Sequence, residues 1–157
     1  MRRDYFTLEA RNVDWVEEDG DPELPTVRVD FQGPETDLRE GFRTSDGDIL
    51  PSEEIDVSFR LQEDLEDTEQ AGGVVAVTNR VTGDFIFELN VDADAVFSFI
   101  TAARRFAEET GDDSRYRIEL YLDGEEYVTY EKETFLVYTR DGNLVRSRSL
   151  IPGGVEL

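Results

Sequence analysis

The sequence predicts an α+β fold of about eight mostly antiparallel strands, a sandwich or curled sheet, with one covering helix near residues 93–110. Three observations predict it. Apolar and polar residues alternate with a period of two in several short stretches, and a single stretch repeats its apolar residues at helical spacing. Thr82-Gly83, Asp123-Gly124 and Asp141-Gly142-Asn143 stand between alternating segments, where turns belong.

The first segment, Tyr5 to Val13, sets Phe6, Leu8 and Ala10 on one face and reads as a strand. Residues 14–25 hold six acids and no basic residue, with Gly20, Pro22 and Pro25, the composition of a solvated loop. Val27, Val29 and Phe31 alternate with Arg28 and Asp30 in a second strand, and residues 32–53, punctuated by Gly33-Pro34, Asp46-Gly47 and Pro51, read as irregular. Ile55, Val57, Phe59 and Leu61 against Asp56, Ser58, Arg60 and Gln62 give the cleanest half-buried strand. An acidic loop from Glu63 to Gly73 leads to a hairpin of Val74–Val77 and Phe85–Val91 around Thr82-Gly83. Val74–Val77 is apolar on both faces, the pattern of a central strand.

The helix follows. Asp92 or Asp94 can cap it, Val96, Phe99, Ile100, Ala103, Phe106 and Ala107 form its apolar stripe, and Gly111 stands where a left-handed C-terminal residue is needed. Tyr116, Ile118, Leu120 and Leu122 face inward from the next strand, and Tyr127–Glu131, Phe135–Thr139 and Leu144–Leu150 supply the last ones. Pro152-Gly153-Gly154 ends the ordered chain. With no internal repeat, low-complexity tract or second core, residues 1–157 read as one domain.

Charge sets this chain apart. It has 38 acidic and 16 basic residues, net -22, and Lys132 is the only lysine among the basic ones. Carboxylates hold water and hydrated cations, whereas lysine stems expose methylenes. In dilute buffer such a charge pushes a compact state apart, but at molar salt the Debye length falls to about 3 Å and the repulsion is screened. Acids occur in nearly every segment, so the pattern reads as salt adaptation rather than as an acidic tail or a nucleic-acid mimic. Ten Phe residues separate it from a disordered acidic chain.

The absence of Cys and His removes disulfides, thiolate nucleophiles, the commonest general base and the commonest zinc ligand. Arg2-Arg3 precedes an alternating segment rather than the apolar run of an export signal, and no stretch is long enough to span a membrane, so a cytoplasmic location is expected. There is no Gly-x-Ser-x-Gly elbow, phosphate-binding glycine loop or dinucleotide fingerprint. Asn90-x-Asp92-x-Asp94 matches the first ligand positions of a calcium loop. However, Ala95 replaces the required glycine and Thr101 the bidentate acid, which leaves a helix cap as the better reading. Asp46-Gly47-Asp48 beside Glu53 and Glu54 is equally weak in so acidic a chain. No metal or cofactor is expected.

One region departs from the acidic background. Five of the six tyrosines lie in the C-terminal third, and residues 140–150 carry three Arg and one Asp. Arg115 and Arg117 share a strand face with Tyr121, while Arg146 and Arg148 share a face of the last expected strand. Together with Arg140 these are the candidate partner-binding residues. The competing reading is internal ion pairing of these arginines with Glu119, Glu125 or Glu131 across strands.

The opening Met1-Arg2-Arg3-Asp4-Tyr5-Phe6-Thr7-Leu8 and the closing Thr139-Arg140-Asp141-Gly142-Asn143-Leu144-Val145-Arg146-Ser147 resemble an uncharacterised family of haloarchaeal proteins, over the whole chain. The resemblance implies an archaeal, salt-rich cytoplasm and carries no activity or functional residues. Hydrophobic content without catalytic side chains points to a non-enzymatic interaction module, binding a protein partner or itself rather than nucleic acid or a membrane. The alternatives are a carboxylate enzyme using a divalent metal, and a sandwich that senses a small molecule in an apolar cavity under the helix.

Overall fold

The computed structural model describes residues 5–62, 72–111 and 115–151. Arg2-Arg3, most of the acidic Glu63–Gly73 connection and Pro152-Gly153-Gly154 lie outside them. The elements run β1 (Phe6–Arg11), α1 (Trp15–Glu18), β2 (Thr26–Phe31), α2 (Glu35–Gly41), β3 (Ile55–Leu61), β4 (Gly72–Asn79), β5 (Phe85–Asp92), α3 (Ala93–Thr110), β6 (Tyr116–Leu122), β7 (Glu125–Lys132) and β8 (Leu136–Tyr138). The strands form two four-stranded sheets, the first ordered β1-β2-β6-β7 and the second β5-β4-β3-β8. This is an α+β architecture.

Each sheet is mixed. Antiparallel pairing prevails, but β2 runs parallel to β6, with Thr26 opposite Arg117, and β3 runs parallel to β8, with Ser58 opposite Leu136. Alternation then decides what each sheet buries. Val29, Phe31, Ile118 and Leu120 of the first sheet and Val57, Phe59, Val75 and Leu89 of the second meet in one continuous core. Each such side chain contributes about 1.5–3 kcal/mol by leaving water. Phe6 joins the layers, its ring stacked 4.8 Å from that of Phe87. Gly73 is required by proximity, because a Cβ there would stand 2.5 Å from the Arg60 carbonyl and from the Phe59 ring.

Helix α3 buries Val96, Phe99, Ile100, Ala103 and Phe106 on this core. Phe99 meets the rings of Tyr116 and Phe135 at 5.5 and 6.4 Å. Gly111 closes the helix at φ 73°, its N–H donating to the Ala107 carbonyl. Asp92 occupies the N-cap position without a side-chain capping bond, so the expected capping role is positional only. No helix among the described residues is long and apolar enough to cross a membrane.

Three expectations are corrected. The acidic stretch 14–25 is not all loop. It contains α1, whose Trp15 is 4% exposed and donates its indole N–H to the Asn12 carbonyl at 2.6 Å. The Arg105 guanidinium of α3 donates to the Val16 carbonyl and holds this turn down. Residues 32–53 contain α2 and deliver Leu38, Phe42 and Leu50 to the core. Finally, Leu144–Leu150 is not a strand. Its backbone pairs with β8 and Phe135 at the isolated bridges Tyr138–Leu144 and Phe135–Leu150, the Val145 N–H donates to the Val137 carbonyl, and its middle is a 3-10 turn, Arg146–Arg148. Ser149 explains the change, since its Oγ accepts the Val137 N–H at 2.9 Å, a place a strand would fill with backbone.

Candidate functional site

The outward residues of the first sheet form charged rows: Arg11, Thr26, Arg117 and Glu131 in one, Glu9, Arg28, Glu119 and Thr129 in the next, then Thr7, Asp30, Tyr121 and Glu126. Arg117 pairs with Glu131 at 3.0 Å and Arg11 with Glu9 at 3.1 Å. The Arg28 Nε donates to both carboxylate oxygens of Asp30, and its guanidinium lies 3.7 Å over the Tyr121 ring. The hydrogen bond to Asp30 raises the Arg28 pKa above its ordinary value. Arg115 lies just before β6, its backbone N–H bonded to the Lys132 carbonyl. Arg117 and Tyr121 are therefore engaged within a solvated, cross-strand charge lattice.

The other candidate arginines are elsewhere. Arg140 follows β8, and its carbonyl accepts both the Nε and an Nη of Arg60, at 3.2 and 2.7 Å. Arg146 and Arg148 belong to the 3-10 turn rather than to a strand face, and the Arg148 guanidinium lies 4.6 Å over the Phe97 ring of α3. The six residues thus divide between the outer face of the first sheet and the border of the second.

The outer face of the second sheet differs in kind. Between Arg60 of β3 and Asn90 of β5 lies Val74, and between Ser58 and Glu88 lies Ala76, both pointing away from the core and each only 7% exposed. They floor an open groove of about 680 Å³, rimmed by Ser58, Arg60, Glu88, Tyr138 and Arg140. Phe85 borders the same groove and is 65% exposed.

Over residues 1–157 the chain matches the model of a family described as "Family of unknown function (DUF5793)". The chain belongs to that family. No curated protein and no solved structure matches it. DUF5793 membership assigns no site residues, so the geometry has to carry the functional reading.

That geometry weighs the alternatives for this DUF5793 chain. A cavity does lie under α3, between the sheets, lined by residues such as Val29, Val75, Phe87 and Val96. Its volume is about 30 Å³. Small-molecule sites begin at roughly 300 Å³, an order of magnitude larger. Among the described residues, no three Asp or Glu side chains converge as a metal would need.

Sequence reasoning missed Arg60, Phe85 and the groove floor. A signal was present in Val74–Val77, apolar on both faces. The stretch is central, between β5 and β3, but only Val75 and Val77 point to the core. Val74 and Ala76 are left to make a second apolar surface.

Proposed function

We propose that this chain is a non-enzymatic interaction module of a haloarchaeal, salt-rich cytoplasm, working through the outer face of its second sheet. The observation that supports it is the contrast between the two outer faces. The first carries charged and polar residues throughout, whereas the second presents an apolar floor with an exposed aromatic beside it. A recess with an apolar floor beside an exposed aromatic ring, on an otherwise charged protein, is a surface that a partner can cover. The halophilic setting is supported by the net charge of -22 and by arginine replacing lysine at all but one basic position. Residues 1–157 act as one domain in this reading. Of the candidate arginines, Arg140 lies on the working face.

The test is affinity capture from a lysate in molar KCl, with the unaltered chain and with Ala76→Arg, which fills the groove with a charge. A reproducible set of captured chains, further copies included, held by the first and lost by the second supports the module. Equal capture by both, or none by either, overturns it.

A further inference from the structure

We infer that residues 12–24 form a strap that salt holds against α3, and that it lifts off at low ionic strength while the rest of the domain stays folded. This inference is independent of the second sheet's outer face. Few links hold the strap down. Trp15 of α1 is 4% exposed, yet it is buried outside the continuous core between the sheets, as is Ala102 of α3. The backbone bonds donated by Val16, Glu17, Glu18 and Gly20 all return to residues 13–15. The Trp15 indole bonds to Asn12, and the Asn12 amide reaches the Leu24 carbonyl and the Thr26 hydroxyl where the strap rejoins β2.

Arg105 makes the polar link to α3. Its guanidinium donates to the Val16 carbonyl at 3.2 Å, stands 5.8 Å from the centre of the Trp15 ring and lies 3.9 Å from the Asp19 carboxylate. It is shared with Glu109 of its own helix at 3.4 Å. Asn12 and Asp19 hold φ angles of 62° and 55°, left-handed conformations that disfavour residues with a Cβ and that release would relax. A segment tied to its body by so little opens before the body unfolds.

Charge supplies the switch. The strap carries Asp14, Glu17, Glu18, Asp19, Asp21 and Glu23 with no basic residue, a charge of -6, which leaves -16 for the rest of a chain at -22. In dilute buffer these two parts repel across a Debye length of about 10 Å or more. At molar salt that length falls to about 3 Å, and burial of Trp15 and the bond to Val16 prevail.

Trp15 is the only tryptophan, so its emission reports on the strap alone. The purified full chain is taken from several molar KCl down to roughly 0.01 M, with emission and acrylamide quenching followed beside far-ultraviolet circular dichroism. Quenching is expected to rise at least about threefold at KCl concentrations where the dichroism is unchanged. Glu17→Gln with Glu18→Gln, both exposed, should lower the KCl needed to hold the strap by about twofold or more. Arg105→Met should raise it. Glu125→Gln with Asp141→Asn, the same loss of charge outside the strap, should leave it nearly unchanged. Dichroism in molar KCl verifies that each variant folds, and the exposed Glu17/Glu18 pair decides the matter if Arg105→Met does not. A single transition seen by both probes, or a Trp15 protected wherever the fold persists, overturns the inference. So does an equal shift from the two charge-reduced pairs.

Discussion

Cations on the outer face of the first sheet and cations at the seams between elements take different kinds of acceptor. On the first sheet, Arg11, Arg28 and Arg117 face carboxylates of their own sheet. On the second sheet Arg80 also faces a carboxylate, that of Asp56 at 4.0 Å, but at the seams between elements cations reach distant backbone carbonyls. Arg60 bonds to the Arg140 carbonyl, and Arg104 of α3 to that of Ser149 at 2.6 Å. Lys132 bonds at once to the carbonyls of Ser52 and Ile55, tying β7 of the first sheet to the start of β3 in the second. In a chain with 38 acids this choice of acceptor is informative. A solvent-exposed ion pair weakens as salt rises, whereas a short, part-buried hydrogen bond to a carbonyl is much less affected. The links between elements are thus of the kind that salt leaves standing, and the only lysine is one of them.

The largest expected effect concerns the chain as a whole. Raising KCl from roughly 0.1 M to several molar should raise the melting temperature by more than about 10 °C, equivalent to about 3 kcal/mol at this chain length. Circular dichroism measures it, and salt-independent melting would remove the halophilic reading. The comparison itself is broken or kept by substitution in molar KCl. Lys132→Met or Arg104→Met should each cost about 1.5–3 kcal/mol, the range for a lost hydrogen bond to a charged group. Arg117→Ala, which removes an exposed pair, should cost less than about 1 kcal/mol. Urea unfolding at fixed KCl gives these differences, and equal costs in the two regions would erase the distinction.

Alkaline pH probes the buried phenols. Tyr116 donates to the Thr134 carbonyl and Tyr130 to that of Leu50, and burial raises the pKa of both. In the unfolded chain both ionise near pH 10. Their contribution is therefore complete below about pH 10 and is lost as the pH climbs toward the raised folded values. Lys132 acts in the opposite sense, because burial lowers its pKa and the unfolded chain holds that proton more tightly. Its share of the stability rises slightly as the pH approaches 10.5. Unfolding followed across pH 9 to about 12 should show net loss, delayed in Tyr130→Phe relative to its own value at pH 8. A flat profile would contradict the placement of both tyrosines.

The smallest effect is expected at Tyr127. Its hydroxyl is buried with no hydrogen-bond partner among the described residues, while Tyr130, three residues on, has one. Tyr127→Phe should be neutral or stabilising by up to about 1 kcal/mol, and Tyr130→Phe should cost about 1 kcal/mol. Equal costs would mean that the Tyr127 hydroxyl has a partner after all.

Much of the fold was legible because alternation is a local signal. It located β1, β2, β3, β6 and the inward set of each, and helical spacing located α3. The short helices were hidden by their own brevity. α1 and α2 each bury one side chain, Trp15 and Leu38, too few to show a period. Pairing was hidden as well, since alternation tells which way a residue faces and nothing about which strand lies beside it. Leu144–Leu150 misled because a strand-like pattern came with a serine that replaces the backbone partner. At the candidate site, the arginines were visible but their acceptors were not. A carbonyl belongs to every residue, so the bonds of Arg60, Arg104 and Lys132 left no mark in the sequence.

The two parallel pairings also fix when the molecule can assemble. The first sheet gains its middle only when Tyr116–Leu122 slots beside Thr26–Phe31, and the second is finished by Leu136–Tyr138 beside Ile55–Leu61. A ribosome releasing this chain would thus hold a partial, open-sided sheet until its last strands emerge. Loop closure over such separations is slow. The acids that crowd the early segments would then hydrate this open-sided intermediate before they coat the finished fold.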